Sequence, residues 1–326
     1  MRYRQLGASG VRVSEVGIGA FPLSGYSTDA EGRRVGWSGA SDAQAVALIH
    51  RAEELGINLV DSAESYGNGH SEAVVGSALR GRRAKWLIAT KVTTNLGLEA
   101  AMPNLAEAAR RRIRSAAEGS LRRLACDYID VYQLHALPLS GAESAVMEEL
   151  MALKRRGLIR LIGVSNNEVA AIRRLAALSD VDVLQVGYNL VERQGADTLD
   201  YARGAGMGTL IRVPLAKGML SGKYFTNWEL PADDVRHERF SRADTAAAFR
   251  RLPELAFLAR GRTMPQAALR FTLDHAGTSC VIAGAKTVAQ IEENAAAADV
   301  APLTAAELRR ALPLVDGLTV PNWAGN

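Results

Sequence analysis

Two short runs, Trp86-Leu87-Ile88-Ala89-Thr90-Lys91-Val92 and Tyr128-Ile129-Asp130-Val131-Tyr132-Gln133-Leu134, are apolar and rich in β-branched and aromatic side chains. Between them, Asn104–Leu124 carries apolar residues at helical spacing. Strand, helix, strand in that order makes a βαβ unit, which sets the two strands parallel. The same alternation continues outward in both directions. Strand-like runs occur at Val16–Phe21, Ile57–Val60, Leu158–Val164, Val183–Tyr188, Thr209–Val213 and Ser279–Ala283. Helical spacing fills Asp42–Leu55, Glu143–Arg155, Asn167–Leu178, Thr198–Ala205 and Thr245–Arg260. Several strand runs are apolar almost throughout, as strands covered on both faces must be.

Eight such strands in an α/β chain of 326 residues predict a closed (β/α)8 TIM barrel, one domain over residues 1–326. An open doubly wound sheet would favour a Gly-x-Gly-x-x-Gly turn after its first strand. Here Val16–Phe21 runs into Pro22-Leu23-Ser24-Gly25. Gly204-Ala205-Gly206-Met207-Gly208 precedes a strand and reads as a helix end and turn. Gly218-Met219-Leu220-Ser221-Gly222-Lys223 is one residue short of a P-loop, with Tyr224 where Ser or Thr is needed. The Leu6-Gly7-Ala8-Ser9-Gly10 turn within residues 2–13 predicts an N-terminal β-hairpin cap under the barrel. Two long irregular stretches, Ser24–Ala40 and Ala216–Ala243, follow strands and are placed as long loops on the C-terminal, catalytic face.

Composition narrows the function classes. The hydrophobic fraction is 48% and the charged fraction 23%, which is globular. Lys and Arg number 39 against 35 Asp and Glu, a net charge of +4. The densest basic run, Arg110-Arg111-Arg112-Ile113-Arg114, has no interleaved aromatic residue on which bases could stack, so it reads as a solvated helix face and not as a nucleic-acid site. No run of about 18 apolar residues occurs, so no membrane span is expected. The two cysteines, Cys126 and Cys280, form no Cys-x-x-Cys, and the first residues lack a signal-peptide core. A cytoplasmic protein with free thiols is expected. The five histidines are scattered, so no metal centre is expected.

In a barrel enzyme the chemistry lies where strands end. The second strand ends at Asp61 and leads to Tyr66, the third ends at Lys91, and the fourth is followed by His135. Each alone has a bland reading: a turn-forming Asp, a snorkelling Lys, a hydrogen-bonded His. Together at one mouth they form a set suited to carbonyl reduction. A tyrosine, with an ordinary pKa of about 10, holds its proton at neutral pH but gives it up with difficulty. A lysine ammonium beside it favours the phenolate. An aspartate keeps that lysine charged and aimed, and a histidine can hydrogen-bond the substrate oxygen.

At this point the residues resemble the aldo-keto reductase family in its bacterial branches. Gly56-Ile57-Asn58-Leu59-Val60-Asp61-Ser62-Ala63-Glu64-Ser65-Tyr66-Gly67, with Ser71-Glu72, is similar to its signature. Matches continue in order through Ile88–Lys91, Asp130–His135, Ile162–Asn166, Leu184-Gln185 with Tyr188-Asn189, Pro214–Lys223 and Ile291–Asn294. The resemblance implies NADP(H) bound in extended form, with NAD(H) less favoured, and hydride transfer from the nicotinamide. It implies that Asp61, Tyr66, Lys91 and His135 are catalytic. It places Ser165, Asn166 and Gln185 at the carboxamide and Pro214, Leu215 and Gly218 over the pyrophosphate. Glu293 and Asn294 would contact the adenine, and a helix starting near Val288 would point its N–H groups at the phosphate end.

Two regions depart from the family pattern. Arg212 stands where many members carry an aromatic residue stacked on the nicotinamide. A guanidinium plane can also stack, and its charge beside an oxidised ring should weaken NADP⁺ more than NADPH. Around the 2′-phosphate, Gly284-Ala285-Lys286-Thr287 and Gln290 replace a more basic set, leaving Lys286 to pair with the phosphate.

Phe21, Tyr26 and Trp37 are candidate substrate-pocket residues. The ending Pro321-Asn322-Trp323-Ala324-Gly325-Asn326 suggests a shallow pocket for small aldehydes, ketones or keto-sugars. The competing readings are a redox-sensing accessory subunit of the same fold with weak turnover, and a barrel hydrolase or lyase. The last would need two carboxylates or a metal facing the substrate, and Asp61 alone is suitably placed. No heptad pattern indicates an oligomeric state.

Overall fold

The computed structural model describes residues 1–28, 34–36, 40–226, 229–230, 234, 236–240 and 243–318. Trp37 and the terminal 319–326 segment, both singled out above, lie outside the described residues.

Eight parallel strands close into a barrel: β3 (Val16–Gly19), β6 (Leu59–Asp61), β7 (Leu87–Val92), β8 (Ile129–Leu134), β9 (Ile159–Ser165), β10 (Val183–Gly187), β11 (Gly208–Arg212) and β12 (Cys280–Gly284). Each pairs with its sequence neighbour, and β12 closes on β3 through Val281↔Val16 to Gly284↔Gly19. All eight predicted strands are present, so a (β/α)8 barrel is the fold. The helices α1 (Asp42–Glu54), α2 (His70–Ala78), α3 (Leu105–Leu124), α4 (Glu143–Arg155), α5 (Val169–Ala176), α6 (Ala196–Gly204), α9 (Met264–Asp274) and α10 (Val288–Ala296) follow the strands. Their apolar faces pack on the outer strand faces around wholly buried Leu48, Ile49, Ile88 and Tyr132. Burying one such aliphatic side chain contributes about 1.5–3 kcal/mol.

The predicted hairpin is formed by β1 (Tyr3–Gln5) and β2 (Arg12–Ser14), antiparallel. Its turn plugs the N-terminal end of the barrel. Leu6 is wholly buried in an inner cluster with Leu59, Val183, Leu210 and Cys280. Gly7 has φ +58° and lies so close to β11 that a Cβ there would sit 2.3 Å from the Gly208 nitrogen. Only glycine meets both conditions without strain.

The stretch 24–40 contains a short hairpin, β4 (Tyr26–Thr28) and β5 (Arg34–Gly36). The predicted helix Thr245–Arg260 is two elements: α8 (Ala243–Arg251), then a 3₁₀ segment over Leu252–Ala259. Pro253 lies in the first turn of that segment and lacks the N–H that would continue the α-helix. A four-residue helix, α7 (His237–Phe240), and α11 (Ala305–Val315) complete the chain. They pack with Tyr224 and Phe249 in a second apolar cluster that anchors the loop after β11.

Each arginine of the basic run faces a carboxylate. Arg111 lies 3.5 Å from Glu107 and Arg114 2.9 Å from Glu149, while Arg110 pairs with Glu148 and Arg112 with Glu64. The run is a lattice tying α3 to α4 and to the β6 loop. Among the described residues no helix is long and apolar enough to cross a membrane. Cys126 and Cys280 are both free.

Candidate active site

Asp61, at the C-terminal end of β6, is 2% exposed and accepts hydrogen bonds on both oxygens. Oδ2 takes the Lys91 Nζ proton at 2.7 Å. Oδ1 takes Gln133 Nε2 at 3.0 Å and Gln185 Nε2 at 2.9 Å. Lys91 is wholly buried. Its other contacts are the Ser62 carbonyl at 2.7 Å and Tyr66 Oη at 3.3 Å, so all three ammonium protons have directed acceptors. Burial pulls the Lys91 pKa down, but the Asp61 charge and the Tyr66 hydroxyl more than offset this, and it ends above the usual lysine value. Lys91 is therefore a cation at working pH.

The amide orientations follow from this charge. Asp61, paired with Lys91, can only accept. Gln133 must turn Nε2 toward it, which leaves Gln133 Oε1 to accept Gln185 Nε2 at 3.1 Å. Both protons of Gln185 Nε2 are thus engaged, and Gln185 Oε1 accepts from no described residue. The space for Gln133 comes from Gly163, where a Cβ would lie 2.5 Å from Gln133 Cγ.

Tyr66 starts a tight turn over Tyr66–Gly69 in which Gly67, Asn68 and Gly69 have φ of 59°, 52° and 91°. Behind that turn lies a buried support that the sequence reading left without a role. Glu72, wholly buried on α2, accepts from Thr90 Oγ1 at 2.6 Å and from Arg123 Nε at 2.7 Å. A Cβ on Gly69 would sit 2.5 Å from Arg123 Cδ, so the arginine of α3 braces the tyrosine turn from below. Glu64 likewise receives the Thr93 N–H at 2.8 Å and pairs with Arg112.

His135 faces Tyr66 edge-on, with ring centroids 5.8 Å apart, and Ser65 Oγ lies 3.4 Å from its Nδ1. Burial, then the Lys91 and Arg212 charges, depress its pKa to about 3. The imidazole is neutral at physiological pH. Phe21 stands on the other side, its ring 4.9 Å from that of Tyr66. Tyr26, on β4, is half-buried near this edge of the barrel.

Arg212 ends β11. A Cβ built on Gly187 would lie 3.2 Å from both Arg212 Cζ and Nη1 and 3.3 Å from Nη2. Near-equal distances to those three atoms put the point over the face of the guanidinium, so Arg212 lies flat on the Gly187 backbone. Burial lowers its pKa, against the nearby Tyr66 and Glu192.

The remaining candidates line the rim. Ser165 ends β9 and Asn166 follows it, and Asn166 Oδ1 accepts the Glu168 N–H at 2.6 Å. In the loop holding Pro214, Leu215 and Gly218, residues Val213, Ala216 and Lys217 have φ of 57°, 49° and 56°, and Gly218 has 98°. Three non-glycine residues in the left-handed region store strain of the kind found at ligand clamps. Gly284 ends β12 against Pro22, and Asn294 Nδ2 reaches the Gly284 carbonyl at 3.4 Å. Glu293 is half-buried on α10. Gln290 is engaged in capping: its Oε1 accepts the Lys286 N–H at 2.7 Å while its own N–H reaches Thr287 Oγ1.

Lys286 has company. Burial and the charges of Arg236 and Lys223 push its pKa down, while Asp234 raises it. Arg236, 7% exposed, pairs with Asp234 and donates to the Lys217 carbonyl at 3.1 Å. Three cations and one carboxylate thus gather beside the strained loop. Arg236 and Asp234 come from the long irregular stretch, where no periodic pattern marks them. This rim fits the phosphates of a dinucleotide, and the free acceptor of Gln185 fits an amide N–H at the other end.

Fold and site together define a class: a closed parallel barrel with a buried acid–base chain at its mouth and an anion-ready rim. A model of the Aldo/keto reductase family matches residues 32–312. Aldo-keto reductase YhdN of Bacillus subtilis (strain 168) is 31% identical over 301 residues, covering 90% of this chain and 87% of YhdN. Among solved structures, glycerol dehydrogenase AKR11B4 from Gluconobacter oxydans superposes with a TM-score of 0.80 at 28% identity, covering 98% of this chain and 96% of that one. An aldo/keto reductase from Klebsiella pneumoniae, in complex with NADP and acetate, gives 0.68 at 25% identity, with the same coverage of 98% and 96%. The chain belongs to the aldo/keto reductase family, and so is an oxidoreductase by descent.

Proposed function

We propose that this chain is an NADP(H)-dependent reductase that interconverts an aldehyde, ketone or keto-sugar and its alcohol, with Tyr66 as proton donor. The observation that carries the reading is the buried chain Asp61–Lys91–Tyr66, joined at 2.7 and 3.3 Å. A bound nicotinamide would supply the hydride. The carbonyl oxygen sits between Tyr66 Oη and the His135 ring, and neutral His135 donates to it. As charge builds on that oxygen, Tyr66 transfers its proton, and the Lys91 ammonium stabilises the phenolate left behind. Asp61 holds Lys91 in line and is itself held by Gln133 and Gln185. Lys286, Arg236 and Lys223 would hold the phosphates, and Gln185 Oε1, with Ser165 at the end of β9 and Asn166 after it, would hold the carboxamide. Glu293, Asn294 and Gln290 border the adenine end.

The NADP complex of the Klebsiella relative supports the cofactor choice. The complete acid–base chain argues against an accessory role without turnover. The first test is a titration of the protein with NADPH and, separately, NADH, followed by a panel of aldehydes and keto-sugars. Quenching of intrinsic fluorescence by NADPH at micromolar levels, reduction of at least one carbonyl, and loss of turnover in Tyr66→Phe are expected. No binding of either cofactor would refute the proposal.

A further inference from the structure

We propose that Arg212 makes this site discriminate by charge between the two oxidation states of its cofactor, holding NADPH and rejecting NADP⁺. The inference rests on the cofactor assignment above and extends it to the direction and regulation of the reaction. The two forms carry the same phosphates, so the Lys286–Arg236–Lys223 pocket cannot tell them apart. They differ at the ring, which is cationic only when oxidised. Any discrimination must come from a net charge close to that ring.

Among the described residues of the mouth, Arg212 supplies one. Lys91 is matched by Asp61 at 2.7 Å, and His135 is neutral. Arg212 makes no hydrogen bond or ion pair with any described residue; Tyr66 and Glu192 act on it through charge alone. One face of the guanidinium is seated on Gly187, and the side chain is half-buried at the strand end, not enclosed. Chain order puts it at the ring end of the cofactor. Arg212 precedes the strained 213–218 loop directly, and Gln185, with its free Oε1, is on the adjacent strand β10, paired through Gln185↔Leu210. Hydride must also leave from within reach of a carbonyl held at Tyr66, which lies within Coulombic range of Arg212.

A neutral reduced ring stacks on the guanidinium without penalty, whereas the oxidised ring brings two like charges face to face. The site therefore expels NADP⁺ once hydride has left and reloads with NADPH even when both are present. Occupancy then follows the supply of reduced cofactor, and the reverse reaction, alcohol oxidation, is starved of its oxidant.

The experiment measures dissociation constants of NADPH and NADP⁺ by fluorescence quenching, without substrate, for the wild type, Arg212→Lys, Arg212→Met and Arg212→Tyr. The wild type is expected to bind NADPH at least tenfold more tightly than NADP⁺. Arg212→Lys, which keeps the charge, retains most of that ratio. Arg212→Met and Arg212→Tyr, which remove it, reduce the ratio about tenfold, chiefly by tightening NADP⁺. Equal wild-type affinities, or a ratio unchanged in Met and Tyr, would overturn the inference and leave the reductase assignment standing. A wild type that binds neither form overturns the assignment itself.

Discussion

His135 is held neutral by a depression of its pKa from 6.5 to about 3, a shift equivalent to about 5 kcal/mol against protonation. In the unfolded chain the same ring titrates at the ordinary value. Between the two values the unfolded state binds a proton that the folded state does not, so stability falls as pH drops. The contribution is complete above about pH 6.5 and is lost progressively toward pH 3. From pH 7 to pH 5 the loss traceable to His135 is about 2 kcal/mol. Urea unfolding at both pH values should show that increment in the wild type and lack it in His135→Gln. A direct reading comes from the ring proton resonances, which should stay close to their neutral positions down to about pH 6. Part of the ring meets the cleft, and water there screens Lys91 and Arg212, so a midpoint between 3 and 5 still sustains the argument. A midpoint above 6 refutes it, and with it the role of a neutral hydrogen-bond donor. Arg212→Met, by removing one of the two cations, should raise the midpoint.

Lys91→Met leaves Asp61 buried without its cation; a loss of about 3–5 kcal/mol in urea unfolding is expected, together with at least a hundredfold fall in turnover. Retained turnover would exclude Lys91 from the proton path. Lys286→Ala should weaken NADPH binding by roughly tenfold or more and leave NADH unchanged, whereas equal effects on both would detach Lys286 from the 2′-phosphate. Gly7→Ala forces a Cβ into the Gly208 backbone at φ +58° and should lower stability by about 1–3 kcal/mol with no change in KM. An unchanged unfolding midpoint would show that the plug yields.

The strands were legible because each is a short run dominated by apolar, mostly β-branched residues, and the residues at their ends stand out against it. Helices fared unevenly. α2 has Gly69, with φ +91° and no side chain to cap it, at its N-cap, so nothing local announces it. α9 and α11 do open on capping boxes, Thr263 with Gln266 and Thr304 with Glu307, a signal present in the sequence and left unread. The supports of the site were beyond reach for a different reason. Glu72 and Arg123 are 51 residues apart, and Glu64 and Arg112 48 apart. Nothing in either segment marks one as the other's partner until the barrel closes. Gln133 sat in a quoted motif without a role, because its partners are on two other strands.

The hairpin beneath the barrel has a consequence for traffic. Among the described residues, Leu6 and Gly7 fill the lower end of the barrel, which leaves the C-terminal mouth as the way in. If Tyr66 is the proton donor proposed above, the proton it gives away is replaced through the mouth by which product leaves, since Lys91 and Asp61 behind it are buried. Recharging the acid and clearing the mouth therefore become successive uses of one corridor, and a ligand slow to depart delays the next proton as well as the next substrate.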